Sequence, residues 1–358
     1  PAPADGGTCL VGFPLRELVV IPKRGRLRIA TDMLRMQVVD RLSGSSVMRA
    51  VVDGASPNHT VVYVYGEGAG KLAAYSTARC LCTVLHCNNF ISEYIRAQTA
   101  RGNLFSRLIA SVTVRNALLG FRKASYRLCV TEHDRQAYLR LTGGSPSDDT
   151  SRGDMYFSYD EPWRMEKREL AESGRKMVCL SAFLGHRFNE AGILWFLQSI
   201  WPAIRREMPF LGLIVAGASP RASIADATCH AGGELHIRPS VEEMDRIHSR
   251  SLLAVAPTLE GSGIKVRVAE SLRRGVPVLS TPHCARGYED VSKQVLKLFA
   301  NADQAVTGVR EILRVDQRQM AKRCVEEWER GFSLTQGVRK LTEVHEWLLA
   351  HHSSPAGS

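Results

Sequence analysis

The 358-residue sequence has no continuous apolar run as long as the roughly 18 to 20 residues that a helix needs to cross a bilayer. It also lacks a signal sequence, in which a basic start is followed by an apolar stretch. Both absences argue against an integral membrane protein and against a secreted one. We therefore expect a cytoplasmic protein that is soluble or, at most, lies on the inner face of a membrane.

Cysteine is present without the pattern of a disulfide framework. The nine cysteines are an odd number, and most lie in apolar runs, as Cys129 does, which is typical of buried thiols in a reducing compartment. A cluster of possible metal ligands comprises Cys80, Cys82, His86 and Cys87. No second pair of ligands follows in the sequence at the spacing of a zinc site. We expect packed thiols here, no metal site and no bound cofactor.

Acidic residues are absent from the segment between Tyr94 and Thr131, in a chain whose net charge is +11. Positive charge attracts nucleotides, acidic polymers and acidic bilayers without selecting among them. The apolar residues in this segment fit two arrangements equally: a helix on an anionic membrane, or a helix packed on the core with a basic side in solvent. We do not expect nucleic acid as a partner. The cations of the segment are Arg96, Arg101, Arg107, Arg115, Arg122, Lys123 and Arg127.

The composition excludes disorder and coiled coil, since 44% of the residues are hydrophobic and 23% are charged. Short apolar runs alternate with longer amphipathic segments, which indicates βαβ units and parallel sheets. The runs begin at Thr60, Cys82, Arg127, Met177, Leu211, Leu252 and Val276. In the second half, a helix is predicted from Asn189 to Arg206, with Asn189 as its N-cap.

The length of the chain predicts two domains, because a single hydrophobic core seldom organises so many residues. A stretch rich in glycine, serine and charged residues lies between Thr142 and Lys176, and we place the boundary there. The predicted domains are 1–160, whose first strand is missing, and 174–330. A C-terminal helix over 331–350 is expected to pack back toward the N-terminal domain.

The stretch from Ala256 to Thr281 contains most of the candidate ligand-binding residues. It predicts a strand, a Gly-Ser-Gly turn at 261–263, a helix and a second strand. Glycines before a helix N-terminus let a phosphate approach backbone N–H groups. Lys265 and Arg267 add positive charge near the same anion, and Glu270 can accept hydrogen bonds from ribose or sugar hydroxyls. From the spacing alone, a turn whose glycines serve only tight packing fits equally well.

The same stretch resembles the donor-site motif of glycosyltransferase family 4, in the form G-x-G-x-K-x-K-x-x-E-A-x-A-x-G-x-P-V-V-x-T. Upstream, Phe183 to Phe196 resembles the family's first strand and helix of the C-terminal domain, including a turn at Gly185. The commoner family form has a further glutamate eight positions before Glu270, where this chain has Ser262. The matching motif residues are Gly261, Gly263, Lys265, Arg267, Glu270, Gly275, Pro277, Val278 and Thr281.

The resemblance implies an α/β protein of the GT-B fold, with two facing Rossmann-like domains and a cleft between them. It implies transfer of a sugar from a nucleotide-diphosphate sugar, with retained configuration and without metal. The acceptor would be a glycan, a lipid-linked glycan or another hydroxyl compound in cell-surface polysaccharide or glycolipid synthesis. The donor-binding residues would be Gly185, Arg187, Gly261, Ser262, Gly263, Lys265, Arg267 and Glu270.

The N-terminal half carries a weaker resemblance. Leu81 to His86 is similar to the strand that ends in the family's cleft histidine, which implies that His86 is catalytic and faces the transferred sugar. A histidine that only caps a strand end is the alternative. The family's first apolar strand has no counterpart before the glycines at 6 and 7.

Two other functions stay open at this point. One is a catalytically inactive relative that binds an anionic surface as a scaffold, which the missing first strand and Ser262 suggest. The other is a different enzyme on two Rossmann domains, such as a sugar-nucleotide epimerase or an NAD enzyme. The chain has no convincing G-x-G-x-x-G with a later acidic residue, which disfavours the NAD enzyme.

Overall fold

The computed structural model of the chain describes residues 9–10, 13–14, 52–55, 60–88, 104–157 and 176–352. The chain divides into two compact units. The first comprises Pro1–Cys129, Arg135–Arg152 and Val338–Ser358, and the second comprises Val130–Asp134 and Gly153–Gly337. The prediction of a missing first strand falls largely on residues outside the described ranges. Within them, β1 (Cys9–Leu10) and β2 (Phe13–Pro14) form a small antiparallel pair.

The first unit contains a four-stranded parallel sheet. Its strands follow chain order from one edge to the other: β3 (Val61–Tyr65), β4 (Cys82–Cys87), β5 (Tyr126–Cys129) and β6 (Ser151–Arg152). The connecting helices are α1 (Gly70–Thr77), α2 (Leu104–Lys123) and α3 (Glu132–Thr142). This alternation of strands and helices is the one that the sequence predicts for this half.

Helix α2 contains the described part of the basic segment, and it packs on the core of the first unit. A Cβ added to Gly120 would lie 2.3 Å from the Cα of Gly70, so α1 and α2 touch through their backbones. Ala117 and Phe121 are buried beneath them. The side chains of Arg107, Arg115, Arg122 and Lys123 are exposed. The helix therefore has a core-facing side and a basic side in solvent, while residues 94–103 lie outside the described ranges.

The second unit contains a six-stranded sheet in which every strand pair is parallel. The strand order is β12-β11-β10-β7-β8-β9, which is the doubly wound Rossmann order and reverses direction between β7 and β10. The strands are β7 (Met177–Ser181), β8 (Gly212–Gly217), β9 (Glu234–Ile237), β10 (Ser251–Ala256), β11 (Val278–Ser280) and β12 (Leu296–Leu298).

Helices cover both faces of this sheet, and the central strands β7 and β10 are accordingly apolar except for one terminal serine each, Ser181 and Ser251. One face packs around the buried Trp201 and Phe299, and the other around the buried Trp328. The helices are α4 (Arg187–Trp195), which continues through a π-helical turn at Phe196–Ile200 into α5 (Trp201–Glu207), then α6 (Ala222–His230), α7 (Val241–Arg250), α8 (Val266–Arg273), α9 (Ala302–Leu313) and α10 (Gln317–Phe332).

The last helix, α11 (Leu334–His352), contributes to the first unit from Val338 onward. The ring centroids of its Trp347 and of Tyr126 in β5 are 5.0 Å apart. Glu343 forms an ion pair with Arg152 at 2.5 Å. In the parts of the chain that the structure describes, none of the helices is both long and apolar enough to span a membrane.

Candidate functional site

The loops after β7 and β10 lie at the point where the strand order reverses, which is where ligands bind in open α/β sheets. Asn189 joins them. Its Oδ1 accepts from Arg267 Nη2 at 2.5 Å and from Thr258 Oγ1 at 3.3 Å, while its Nδ2 donates to the Phe183 carbonyl at 2.9 Å. The N-cap of α4 is His186. The prediction of Asn189 as the helix cap was therefore wrong, because its side chain bridges two loops instead.

Gly192 allows α4 to come this close to the end of β10. A Cβ at this position would lie 2.5 Å from the carbonyl oxygen of Pro257 and 2.8 Å from the Cα of Thr258. Both are main-chain atoms that cannot rotate away. A residue larger than glycine would push the helix, and Asn189 with it, away from the second loop.

The Gly-Ser-Gly turn has a backbone conformation that favours glycine, with φ of 110° at Gly261 and 69° at Gly263. Lys265 fixes the turn from within, because its Nζ donates to the carbonyl oxygens of Ser262 at 2.9 Å and Gly263 at 3.1 Å. The turn is followed by Ile264 and by Lys265 as the N-cap, and α8 begins at Val266. Because glycine has no side chain, nothing at positions 261 and 263 covers the main-chain atoms of the turn.

Two cations of this site form no ion pair with a described carboxylate. Within the described ranges, neither Lys265 nor Arg267 has a carboxylate within 4.0 Å, and the only side chain to which Arg267 donates is the neutral amide of Asn189. Burial lowers the pKa of both residues. The charge of Asp134 acts on Lys265 from beyond ion-pair distance. Sheltered positive charge without a paired carboxylate is the electrostatic arrangement of an anion site.

Further cations approach from the loop after β7. The guanidinium of Arg187 lies 5.4 Å from the centre of the Phe188 ring. Burial lowers the pKa of His186, and the charges of Arg187, Lys265 and Arg267 lower it further. The predicted residues of the two loops therefore share one region of positive potential. Gly185 lies at the same end of β7, where an added Cβ would approach the Ser219 carbonyl to 3.0 Å.

Glu270 stands on α8, held by two arginines through one oxygen. Its Oε2 accepts from Arg274 Nη1 at 2.5 Å and from Arg273 Nη2 at 3.1 Å. Arg274 is itself held by Asp245 at 2.9 Å. No described residue pairs with the second oxygen, Oε1. The arginines fix the carboxylate and leave one oxygen for a ligand that donates hydrogen bonds.

Two residues near the turn had not been proposed from the sequence. Asp134 belongs to the second unit, and its carboxyl receives hydrogen bonds from the main chain of Gly263 and, at 2.8 Å, from Thr131 Oγ1. Burial raises the pKa of Asp134. His283, in the loop after β11, hydrogen-bonds the main chain of Glu260. The sequence signal available for finding them was that each closely follows a predicted strand: Asp134 lies in the first turn of α3, after β5, and His283 lies in the loop after β11.

His86, the predicted catalytic residue, lies in the first unit. It pairs in register with Tyr65 and Leu128, and its ring lies 5.1 Å from that of Tyr65 in an edge-on contact. Strand β4 continues one residue further, to Cys87. The structure thus places His86 inside a strand near its carboxyl end, and the catalytic role stays a prediction. Across the described ranges, no group of three or more His, Cys, Asp or Glu is placed to hold a metal ion.

Residues 174–315 match the family model of Glycosyl transferases group 1. The chain is also 26% identical over 129 residues to an uncharacterized 44.6 kDa protein in the cps region of Klebsiella pneumoniae. That alignment covers 34% of this chain and 32% of the relative, so the chain spans about a third of its relative's length. The family match includes both loops of the site and the whole motif.

Solved structures extend the likeness to both units. HepE from Anabaena, crystallised with UDP, superposes with a TM-score of 0.60 at 13% identity, over 85% of this chain and 83% of HepE. The α,α-trehalose 6-phosphate synthase from Burkholderia multivorans gives 0.60 at 10% identity, over 85% and 75%. Sucrose-phosphate synthase from Thermosynechococcus elongatus gives 0.57 at 15%, over 81% and 74%. The predicted GT-B fold, with two Rossmann-like domains, is confirmed.

Proposed function

We propose that the protein is a retaining glycosyltransferase that moves a sugar from a nucleoside-diphosphate sugar to an acceptor hydroxyl. The observation that carries the proposal is the sheltered pair of cations, Lys265 and Arg267, beside a glycine turn at the switch point of a Rossmann sheet. A diphosphate supplies the missing negative charge. The family match over 174–315 supports the same activity.

Each residue of the site has a task in this reaction. Lys265 and Arg267 stabilise the charge that develops on the leaving diphosphate, with Arg187 on the opposite loop. The main chain of 261–263 approaches the sugar and the phosphates, and Gly185 leaves room at the end of β7. The free oxygen of Glu270 accepts from the ribose hydroxyls. Because these cations neutralise the diphosphate, we propose that no metal is required.

The comparisons suggest which donor to test first. HepE is known with UDP, with UDP and glucose, and with UDP-glucose. We take UDP sugars as the first candidates for this chain. The K. pneumoniae relative lies in a cps region, and we propose a comparable role in cell-surface polysaccharide or glycolipid synthesis. The family 4 subgroup and the catalytic role of His86 belong to the same proposal.

Turnover tests this proposal. UDP-glucose, UDP-galactose and UDP-N-acetylglucosamine are incubated with the protein in EDTA, and release of UDP is followed with water as the acceptor. We expect slow release of UDP from one donor, unaffected by EDTA, and NMR should show the α-sugar as the first product of an α-linked donor. A β-sugar as the first product would contradict retention. Turnover that requires added Mg²⁺ or Mn²⁺ would contradict the metal-free site.

A membrane role adds to the proposal. The exposed Arg107, Arg115, Arg122 and Lys123 give α2 a basic solvent face, and we propose that it contacts anionic lipid while an acceptor is glycosylated. A folded protein that releases nucleotide from no sugar donor but sediments with phosphatidylserine vesicles would instead be an inactive scaffold on an anionic surface.

A further inference from the structure

His283 lies beside the Gly-Ser-Gly turn and is fixed there by the loop after β11. Thr281 Oγ1 donates to the Thr258 carbonyl at 2.7 Å, and Cys284 N donates to Thr281 Oγ1 at 3.2 Å. These bonds tie the loop to the end of β10. The His283 ring hydrogen-bonds the main chain of Glu260, one residue before the turn.

One nitrogen of this ring has no hydrogen-bond partner among the described residues. His283 Nε2 is buried, and no described residue hydrogen-bonds it; the same holds for the Oγ of Ser262, within the turn itself. Buried polar atoms in proteins are almost always hydrogen-bonded, so an orphan beside a ligand site suggests that the ligand supplies the partner.

The chemistry of the ring restricts what that partner is. The bond to Glu260 raises the pKa of His283, which is the sign expected when Nδ1–H donates to a carbonyl oxygen. Burial and the charges of Lys265, Arg286 and His133 act more strongly and lower the pKa to about 4. The ring is therefore neutral near pH 7, and its Nε2 is an acceptor.

An acceptor nitrogen does not pair with a phosphate, whose ionised oxygens are also acceptors, but it pairs with an O–H group. We propose that His283 accepts a hydrogen bond from a hydroxyl group of the donor's sugar and thereby helps to select that sugar. The inference rests on the proposed function, because the turn beside His283 is the one assigned to the sugar and the phosphates. Ser262 Oγ is a second polar atom available to the same sugar.

Two substitutions separate this role from support of the turn. In His283→Asn, the amide nitrogen takes the position of Nδ1 and keeps the bond to Glu260, but nothing replaces Nε2. In His283→Gln, the longer amide places an oxygen near the position of Nε2 and keeps an acceptor there. The first variant should lose the sugar contact, and the second should retain most of it.

The experiment is calorimetric titration of wild type and both variants with UDP and with the UDP sugar that binds wild type most tightly among glucose, galactose and N-acetylglucosamine. We expect His283→Asn to weaken the UDP sugar about 5- to 20-fold and UDP less than 2-fold, and His283→Gln to weaken the UDP sugar less than about 3-fold. Analogues of the UDP sugar that each lack one sugar hydroxyl group provide a further test. At one position, loss of the hydroxyl should weaken binding to wild type by a similar factor and leave binding to His283→Asn unchanged.

Results that contradict the role of His283 differ from the result that contradicts the proposed function. Equal weakening of UDP and of the UDP sugar would show a role in holding the turn only, and no weakening of either would show that Nε2 contacts no sugar; both overturn the assignment of His283. Absence of UDP binding by folded wild type would overturn the proposed function itself, and this inference with it.

Discussion

Replacing Glu270 with alanine is expected to weaken UDP binding about 100-fold. The free Oε1 is the group assigned to the ribose, and hydrogen bonds to a charged group contribute about 1.5 to 3 kcal/mol each. Since Arg273 and Arg274 fix the carboxylate through Oε2, little entropy is lost when the ligand binds. Titration calorimetry with UDP measures the effect directly.

The substitution also removes the ion pair between Arg273 and Glu270, whereas Arg274 keeps its pair with Asp245. Glu270→Gln separates stability from binding, because an amide oxygen can face the arginines while the amide nitrogen, which cannot accept, faces the ribose. Glu234→Ala is a matched control: Glu234 also pairs with an arginine, Arg250 at 2.8 Å, but at the start of the edge strand β9. If Glu270→Gln bound UDP as tightly as wild type, Glu270 would not contact the ribose.

Replacing Lys265 with methionine should weaken UDP about 30-fold and slow turnover about 1,000-fold. The ammonium has three protons, of which two reach the Ser262 and Gly263 carbonyls, and the third can reach a phosphate. A charge-assisted bond of about 2 kcal/mol accounts for the loss of affinity. The greater loss of rate follows because negative charge grows on the diphosphate as it leaves.

Uridine and UMP provide the internal control for this variant. A missing contact to the diphosphate should reduce the affinity for UDP toward that for UMP and leave uridine unchanged. Distortion of the turn would weaken all three ligands, and this outcome would contradict a direct role in phosphate binding. Lys293→Met is a useful second control, since Lys293 is an exposed lysine of the same unit.

Local patterns predicted most of the fold. The seven apolar runs noted in the sequence are all strands, because buried parallel strands leave a continuous apolar signal. The sequence has no recognisable apolar run at strands β6, β9 and β12, because they have only two to four residues. Strand β9 also begins with the charged residue Glu234. The Rossmann order of the sheet needed the structure, because strand order is set by pairing between segments far apart in sequence.

The site was predictable where its signal is local. The glycine turn, Lys265, Arg267 and Glu270 lie within ten residues and share one motif. The hydrogen bond between Asn189 and Arg267 joins residues 78 positions apart and leaves no local signal in the sequence. The local sequence around Asn189 therefore indicates only the common role of asparagine as a helix N-cap. His283 was missed for the same reason, because its partner, Glu260, belongs to a different strand–helix connection.

The loops after β7 and β10 are proposed to bind a nucleoside diphosphate, and the decisive measurement is a crystal structure of the protein with UDP, grown without divalent metal. We expect the diphosphate within hydrogen-bond distance of Lys265 and Arg267, and a ribose hydroxyl on Glu270 Oε1. Density for UDP elsewhere on the molecule, or a diphosphate bound only through a metal ion, would rule out this binding site.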